Sequence, residues 1–221
     1  MRLRFTEAVR EAFPALTAQL LTLEGLGVVP RDAALEAFKD GALAGLRESL
    51  RIESLKDEPR LRAYRDFYWR MGVDPTKIRP ASEALLRRVL RGRDPPRINT
   101  LVDASNLASM RTHVALAAFD TETMQSDFAM RFAREGEPFL GIGMREPMTL
   151  RGKEVVVEDD LGPVAVYPYR DAERTKVTPK TRAVAIMVCG VPGIGEAALS
   201  EAATETVGLV TRFCGGRKVG G

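Results

Sequence analysis

The central segment of the chain, residues 98–120, reads INTLVDASNLASMRTHVALAAFD. Apolar and small residues alternate there with six polar residues, namely Asn99, Asp103, Ser105, Asn106, Ser109 and Asp120. A buried polar group without a partner loses several kcal/mol, so this composition does not suit a simple amphipathic surface element. Such a segment either ties backbone together through caps and turns or lines a polar pocket. Taken in isolation, these residues favour caps and turns.

Length and composition fit one globular domain. The chain has 221 residues, of which 45% are hydrophobic and 29% are charged, which is ordinary for a globular protein. No apolar run approaches the roughly 20 residues of a membrane span, and the N-terminal MRLRFTEAVREAF lacks the apolar core of a secretory signal. Cys189 and Cys214 give no disulfide framework and indicate reduced thiols. We therefore expect a cytoplasmic protein.

The scarcity of histidine argues against several kinds of site. His113 is the one histidine of the chain, and no His/Cys cluster has zinc spacing, so we expect neither a metal nor a cofactor. Ser109 and His113 are four residues apart, but no G-x-S-x-G elbow is present, and a surface or capping histidine is the better interpretation. The segment CGVPGIGE lacks the Lys-Ser/Thr ending of a phosphate-binding loop, which favours a tight turn between a strand and a helix.

Positive charge is concentrated in residues 60–97. This segment carries 11 lysine and arginine residues against 4 acidic ones, an excess of seven positive charges that leaves the rest of the chain at −4. A basic stripe on a near-neutral body is typical of a phosphate-binding surface, whereas the alternative is an ordinary solvated helix face. The residues that we expect to contact RNA are Arg79, Arg87, Arg88 and Arg91.

The order of elements predicts an α+β fold. Apolar periodicity predicts helices at residues 6–12, 31–50, 57–71, 81–90 and 196–213, with Thr6 as the N-cap of the first. Strands are predicted at residues 2–5, 15–23, 128–133, 139–142, 154–158, 164–167 and 183–189. Mixed helices, then strands, then a helix favour one α+β domain.

Four motifs give the chain a resemblance to a known family. The pattern IN-x-x-VD-x-x-N-x-x-S followed by AFD resembles the editing domain of the bacterial phenylalanyl-tRNA synthetase beta subunit. GEPFLGIG at residues 136–143, and LRGKEVVVEDDLGPVAVY followed by RDAERTKVTPKT, resemble later segments of that domain in the same order. DPTKIRPASEALLRRVLRG resembles the entry to its free-standing versions. The resemblance covers most of residues 60–189.

This resemblance implies a fold and a chemistry. The fold would be one three-layer domain around a β-sandwich over residues 1–221, with a core at 60–215. Residues 1–56 would form a strand–helix–strand–helix extension integral to the fold. The activity would be hydrolysis of the ester that joins a wrong amino acid to the 3′ end of tRNA. An aminoacyl ester is already activated, so a positioned water and donors for the oxyanion suffice.

The motifs also imply particular site residues and reveal two departures. By position, the residues expected at the reaction are Glu173 and Asn106, and those expected to hold substrate are Asp120, Gly141, Gly143 and Thr175. Ala117 stands where the family has a histidine, and Asp171-Ala172 replaces a glycine pair. These departures leave the identity of the amino acid open.

Three functions remain after the sequence is considered. The first is a trans-acting hydrolase of mischarged aminoacyl-tRNA, favoured by the retained Glu173, Asn106 and glycines. The second is a non-catalytic module of the same fold that binds tRNA or another partner, favoured by the lost histidine. The third is a small-molecule protein that reuses an amino-acid pocket, and the basic segment disfavours it.

Overall fold

The computed structural model describes residues 1–220, and within this range the chain forms six α-helices. They are α1 (Glu7–Ala12), α2 (Ala33–Ser49), α3 (Pro59–Arg70), α4 (Ala81–Leu90), α5 (Thr100–Thr112) and α6 (Glu196–Cys214). None of the helices in this range is long and apolar enough to span a bilayer.

The strands form three sheets. The strands are β1 (Leu3–Phe5), β2 (Ala18–Glu24), β3 (Ala115–Asp120), β4 (Phe128–Phe132), β5 (Glu135–Phe139), β6 (Met148–Arg151), β7 (Val155–Asp159), β8 (Gly162–Val166), β9 (Arg170–Asp171), β10 (Ala183–Cys189) and β11 (Arg217–Gly220). One sheet has the order β1-β4-β7-β8-β9, a second has the order β11-β2-β10-β3, and β5 and β6 form a hairpin. The α+β class expected from the sequence is confirmed.

The first 56 residues contribute to both large sheets. Strand β1 runs parallel to β4, with Leu3 opposite Phe128. Strand β2 runs antiparallel to β10, with Leu21 opposite Ile186. Removing this N-terminal segment would therefore expose backbone hydrogen-bonding groups of both sheets.

One continuous apolar core joins the two large sheets and the helices. Val157 from the five-stranded sheet and Ile186 from the four-stranded sheet belong to it and are fully buried. The Phe119 and Phe128 rings, one from each sheet, lie 5.3 Å apart between centroids, a distance at which aromatic rings attract each other. The hairpin β5–β6 packs on a separate, smaller cluster, which comprises Ala133, Phe139, Leu150, Val156, Val166 and Ala172.

The polar residues of the central segment mostly tie backbone together, as their composition favours. The Asn99 side chain caps α5 by accepting a hydrogen bond from the backbone N–H of Val102 at 3.0 Å. His113 ends the helix in the left-handed region with φ of 58°. Asp103 accepts from the Ile98 N–H at 2.9 Å. Both bonds fix the N-terminal end of α5, and therefore the residues on its following turns.

One local prediction holds in position only, and another is wrong. Thr6 is the N-cap residue of α1, but its side chain makes no capping hydrogen bond. The strand predicted at residues 139–142 lies earlier, at Glu135–Phe139, and pairs with β6, which the sequence does not predict. Beyond Phe139 the chain leaves the hairpin and Gly141 makes one isolated bridge to Ala172. That bridge turns the segment toward the strand that carries Asp171.

Candidate active site and basic groove

A small pocket lies where the edges of the two large sheets meet under α5. Its volume is about 160 Å³. Helix α5 forms one wall, β3 at the edge of the four-stranded sheet forms a second, and β9 with its following turn forms a third. The lining residues are Ile98, Val102, Ser105, Asn106, Leu116, Ala117, Ala118, Ile142, Asp171, Lys176 and Val177.

One buried hydroxyl in the pocket has no protein partner. Ser105 is only 6% exposed, and among the described residues its Oγ atom has no hydrogen-bond partner. Leaving such a group unsatisfied costs about 1–3 kcal/mol. This cost disappears when a molecule in the pocket exchanges a hydrogen bond with Ser105.

Asp171 supplies the carboxylate inside the pocket. Its side chain accepts one long hydrogen bond, 3.4 Å from the Ala118 backbone nitrogen. Burial raises the pKa of this carboxyl group from its usual 3.8 to about 7, and the Ala118 N–H offsets only part of that effect. Near neutral pH Asp171 therefore exists in both protonation states, which suits a group that accepts and returns a proton.

Glu173 lies at the rim of the pocket and is absent from its lining. One of its carboxylate oxygens binds the ammonium group of Lys176, and the other accepts from the Gly143 N–H at 3.3 Å. The hydrogen bond from Lys176 and then that from Gly143 lower the pKa of Glu173. Because Lys176 lines the pocket, Glu173 contacts the site through its neighbour.

The two glycines of the neighbouring loop shape the backbone around Ile142, which lines the pocket. A Cβ atom on Gly141 would lie 2.3 Å from Cδ of Arg170, so a side chain there would displace Arg170. Gly143 has φ of 77°, in the left-handed region where glycine is favoured. Neither Gly141 nor Gly143 is itself among the residues that line the pocket.

Two further expected substrate contacts are turned into the protein. The Asp120 carboxylate accepts from the Thr181 hydroxyl at 2.6 Å and from the Glu122 N–H at 3.0 Å, so it caps the turn after β3. Thr175 is fully buried and does not line the pocket. Neither residue lines the pocket in this structure.

A second concave surface gathers the positive charge of residues 60–97. We call it the basic groove, and it has a volume of about 480 Å³. It is lined by Lys77, Arg79, Ala84, Leu85, Arg87, Arg88, Arg91, Arg93 and Pro96. All four arginines expected to contact RNA line this groove, and no acidic residue is among the lining.

The arginine side chains of the groove differ in how exposed they are. Arg79, Arg88 and Arg91 are exposed. Arg87 is only partly exposed, because its Nε binds Glu83 at 2.7 Å, and Glu83 is fully buried. Arg87 is thus less free to bind a ligand than the other three arginines. A carboxylate one turn earlier on α4 holds its guanidinium.

The groove and the pocket are neighbours along the chain. Pro96 lines the groove and Ile98 lines the pocket. Two residues of chain span at most about 7 Å, so the two concave surfaces come within that distance of each other at this point.

Comparison with known proteins identifies the family. The family model described as "B3/4 domain" matches residues 63–215. The chain belongs to the B3/4 domain family. It is 27% identical over 176 residues to a phenylalanine–tRNA ligase beta subunit of Parasynechococcus marenigrum. It is 32% identical over 83 residues to that of Psychrobacter arcticus.

The alignments cover a larger share of this chain than of either relative. The B3/4 chain is covered to 76% and 38% by these alignments but spans only 19% and 10% of the relatives' lengths. A crystal structure of an N-terminal fragment of the phenylalanyl-tRNA synthetase beta subunit from Pyrococcus horikoshii is similar in fold. Its TM-score is 0.52 at 16% identity, over 98% of this chain and 49% of that one.

At both places where the sequence departs from the family motif, a residue lines the pocket of this B3/4 domain. Ala117 and Asp171 line it together with Asn106. His113, by contrast, directs its Nδ1 to Glu58 at 3.2 Å. Ser109 donates its hydroxyl to the Val114 carbonyl, so these two residues form no dyad.

Sequence reasoning did not select Ser105, Asp171 and Lys176 for the site. Ser105 belongs to the polar central segment, and only the packing of α5 distinguishes it from its capping neighbours. Asp171 does have a signal in the sequence, since it replaces a glycine of the family motif. A side chain at a position where the family motif has glycine is a reason to examine that position for a role in the site.

Proposed function

We propose that this B3/4 domain binds tRNA and hydrolyses the ester of a mischarged aminoacyl-tRNA, acting in trans. The observation that carries the proposal is the pocket itself. A carboxyl group with a pKa of about 7 and a buried hydroxyl without a partner line it, within two residues of a groove lined by six cationic side chains.

In this proposal the basic groove binds the phosphates of the tRNA. Arg79, Arg88 and Arg91 are exposed there, and guanidinium groups form paired hydrogen bonds with phosphate oxygens. The tRNA backbone lies along the groove, and the adjacent pocket receives the aminoacyl end. The cytoplasmic location expected from the sequence agrees with a substrate that is used in protein synthesis.

In the reaction, Asp171 accepts a proton from water. The water oxygen bonds to the carbonyl carbon of the ester as its proton passes to the Asp171 carboxylate. The tetrahedral intermediate then collapses, the bond from carbon to the 3′ oxygen breaks, and that oxygen takes the proton. The products are the free amino acid and uncharged tRNA. Ser105 and Asn106 hydrogen-bond the aminoacyl group and hold it in the pocket.

Glu173 has a positioning role in this scheme. Its hydrogen bonds to Lys176 and Gly143 hold two walls of the pocket in place. The direct role that the family motif suggests for Glu173 therefore passes to Asp171, which lies two residues earlier and lines the cavity.

The test is a deacylation screen of purified protein against a panel of mischarged tRNAs. We expect Asp171→Asn to lower the hydrolysis rate by roughly 10²–10⁴-fold, with unchanged tRNA affinity. Glu173→Gln should have a smaller effect on rate. The control is Asp160→Asn, because Asp160 is an exposed carboxylate outside the pocket.

Other results select other functions. If wild-type protein binds tRNA but hydrolyses no ester in the panel, the domain is a non-catalytic RNA-binding module. If it binds free amino acids and no tRNA, the small-molecule function replaces the proposal.

A further inference from the structure

Trp69 is an exposed aromatic side chain that the core does not use. It is the one tryptophan of the chain and is 56% exposed at the end of α3. The opposite face of α3 packs Tyr64, Phe67 and Tyr68 into the core. The fold therefore gains little from the indole, since most of its surface remains in water.

Two ion pairs link Arg65, one turn before Trp69, to the basic groove. Arg65 lies one turn before Trp69, and residues at this spacing have Cβ atoms about 5–6 Å apart. Arg65 contacts both oxygens of the buried Glu83 at 3.1 Å. Glu83 in turn holds Arg87 of the groove. The turn of α3 that carries Trp69 is thus linked to the groove wall through Arg65, Glu83 and Arg87.

The chain after α3 also returns to the groove near Trp69. Gly72 adopts φ of 73°, and the Val73 N–H donates to the Tyr68 carbonyl at 2.9 Å. This turn reverses the chain and brings Lys77 to the groove lining. Trp69 therefore lies beside the point where the loop with Lys77 departs.

We propose that Trp69 is a stacking platform for an unpaired nucleobase of an RNA whose phosphates occupy the basic groove. This inference rests on the RNA-binding half of the proposed function and not on hydrolysis. Bases stack on exposed aromatic side chains beside positively charged channels in proteins that bind single strands. The charge of the groove selects a polyanion, and the flat indole selects one that carries planar bases.

The single tryptophan makes the experiment direct, because all intrinsic indole fluorescence comes from Trp69. The probe is a twelve-nucleotide RNA without self-complementarity, and inorganic polyphosphate is the matched polyanion without bases. We expect RNA to quench the fluorescence and polyphosphate to bind without quenching. Trp69→Ala should weaken RNA binding about 5- to 150-fold, and Trp69→Phe should retain most of the affinity.

Leu161→Ala is the matched control, since Leu161 is a similarly exposed apolar residue at 52% outside the groove. Circular dichroism of each variant checks that the fold is retained. The inference is overturned if Trp69→Ala binds RNA as tightly as wild type, or if polyphosphate or an acidic polypeptide quenches as strongly as RNA. If wild-type protein binds no RNA, both this inference and the proposed function fail.

Discussion

Replacing Asp171 with asparagine should stabilise the protein at neutral pH while it removes activity. The pKa of Asp171 is about 7 in the fold against 3.8 ordinarily, and each pKa unit corresponds to 1.36 kcal/mol. Ionised Asp171 therefore costs the folded state up to about 4 kcal/mol. Because Asp171 is half-buried and its pocket opens to solvent, we expect about 2 kcal/mol of stabilisation, or roughly 4–8 °C in melting temperature.

The sign of the pH dependence follows from proton binding. Below about pH 3 the carboxyl group is protonated in both states, and asparagine brings little gain. Between pH 4 and 7 the unfolded chain releases this proton while the folded protein keeps it, so wild-type stability falls as pH rises. Above pH 7 both states are ionised and the gain from asparagine is complete.

Urea unfolding of wild type, Asp171→Asn and the exposed control Asp160→Asn measures this effect at pH 4 and pH 8. The midpoint of Asp171→Asn should exceed that of wild type by much more at pH 8 than at pH 4, with unchanged slopes, and Asp160→Asn should match wild type at both. Equal midpoints at pH 8, or the same gain at both pH values, would refute the reasoning that burial destabilises the Asp171 carboxylate.

The remaining predictions concern the groove, the helix under the pocket and the position of the lost histidine. Changing Arg79, Arg88 and Arg91 together to Glu should weaken tRNA binding and reduce the slope of log affinity against log salt concentration by about 2–3. Arg134→Glu, on a residue outside the groove, should leave both the affinity and the slope unchanged. An unaltered slope in a folded triple variant would exclude the groove as the tRNA-binding surface. Lys39→Met should cost about 3 kcal/mol, because it leaves the Asp103 carboxylate, 2.9 Å from Lys39 Nζ, buried without its partner. Adding Asp103→Leu should recover part of that loss in urea unfolding, and no recovery would contradict a buried-charge origin. Ala117→His places a larger side chain in the pocket wall and should change which esters are cleaved in the deacylation panel; an identical profile would show that this wall does not select substrate.

The sequence predicts elements well where burial is continuous. The run AVAIMVC is predicted as a strand at residues 183–189 and is observed as β10 with the same limits, because almost every residue in it is buried. Hairpin β5–β6 was missed for the opposite reason. Strand β5 reads EGEPF and is mostly exposed, so no apolar alternation marks it.

The site is harder to predict because it depends on contacts between distant segments. Asp171 and Glu173 are two residues apart, and the sequence does not show which carboxylate enters the pocket. The bridge between Gly141 and Ala172 fixes the one residue that lies between these two carboxylates. Arg87 did have a local signal, since Glu83 precedes it by one turn, but helical periodicity alone does not reveal that Glu83 is buried.

A separate apolar cluster supports hairpin β5–β6, which contributes Phe139 and Leu150 to it beside residues of the five-stranded sheet. The six buried residues of this cluster provide the hairpin with far less apolar stabilisation than the main core provides to β10. Local unfolding draws on such weakly supported segments first. Because Ile142 lies just beyond the hairpin and lines the pocket, we expect a ligand that contacts Ile142 to protect the hairpin from amide exchange.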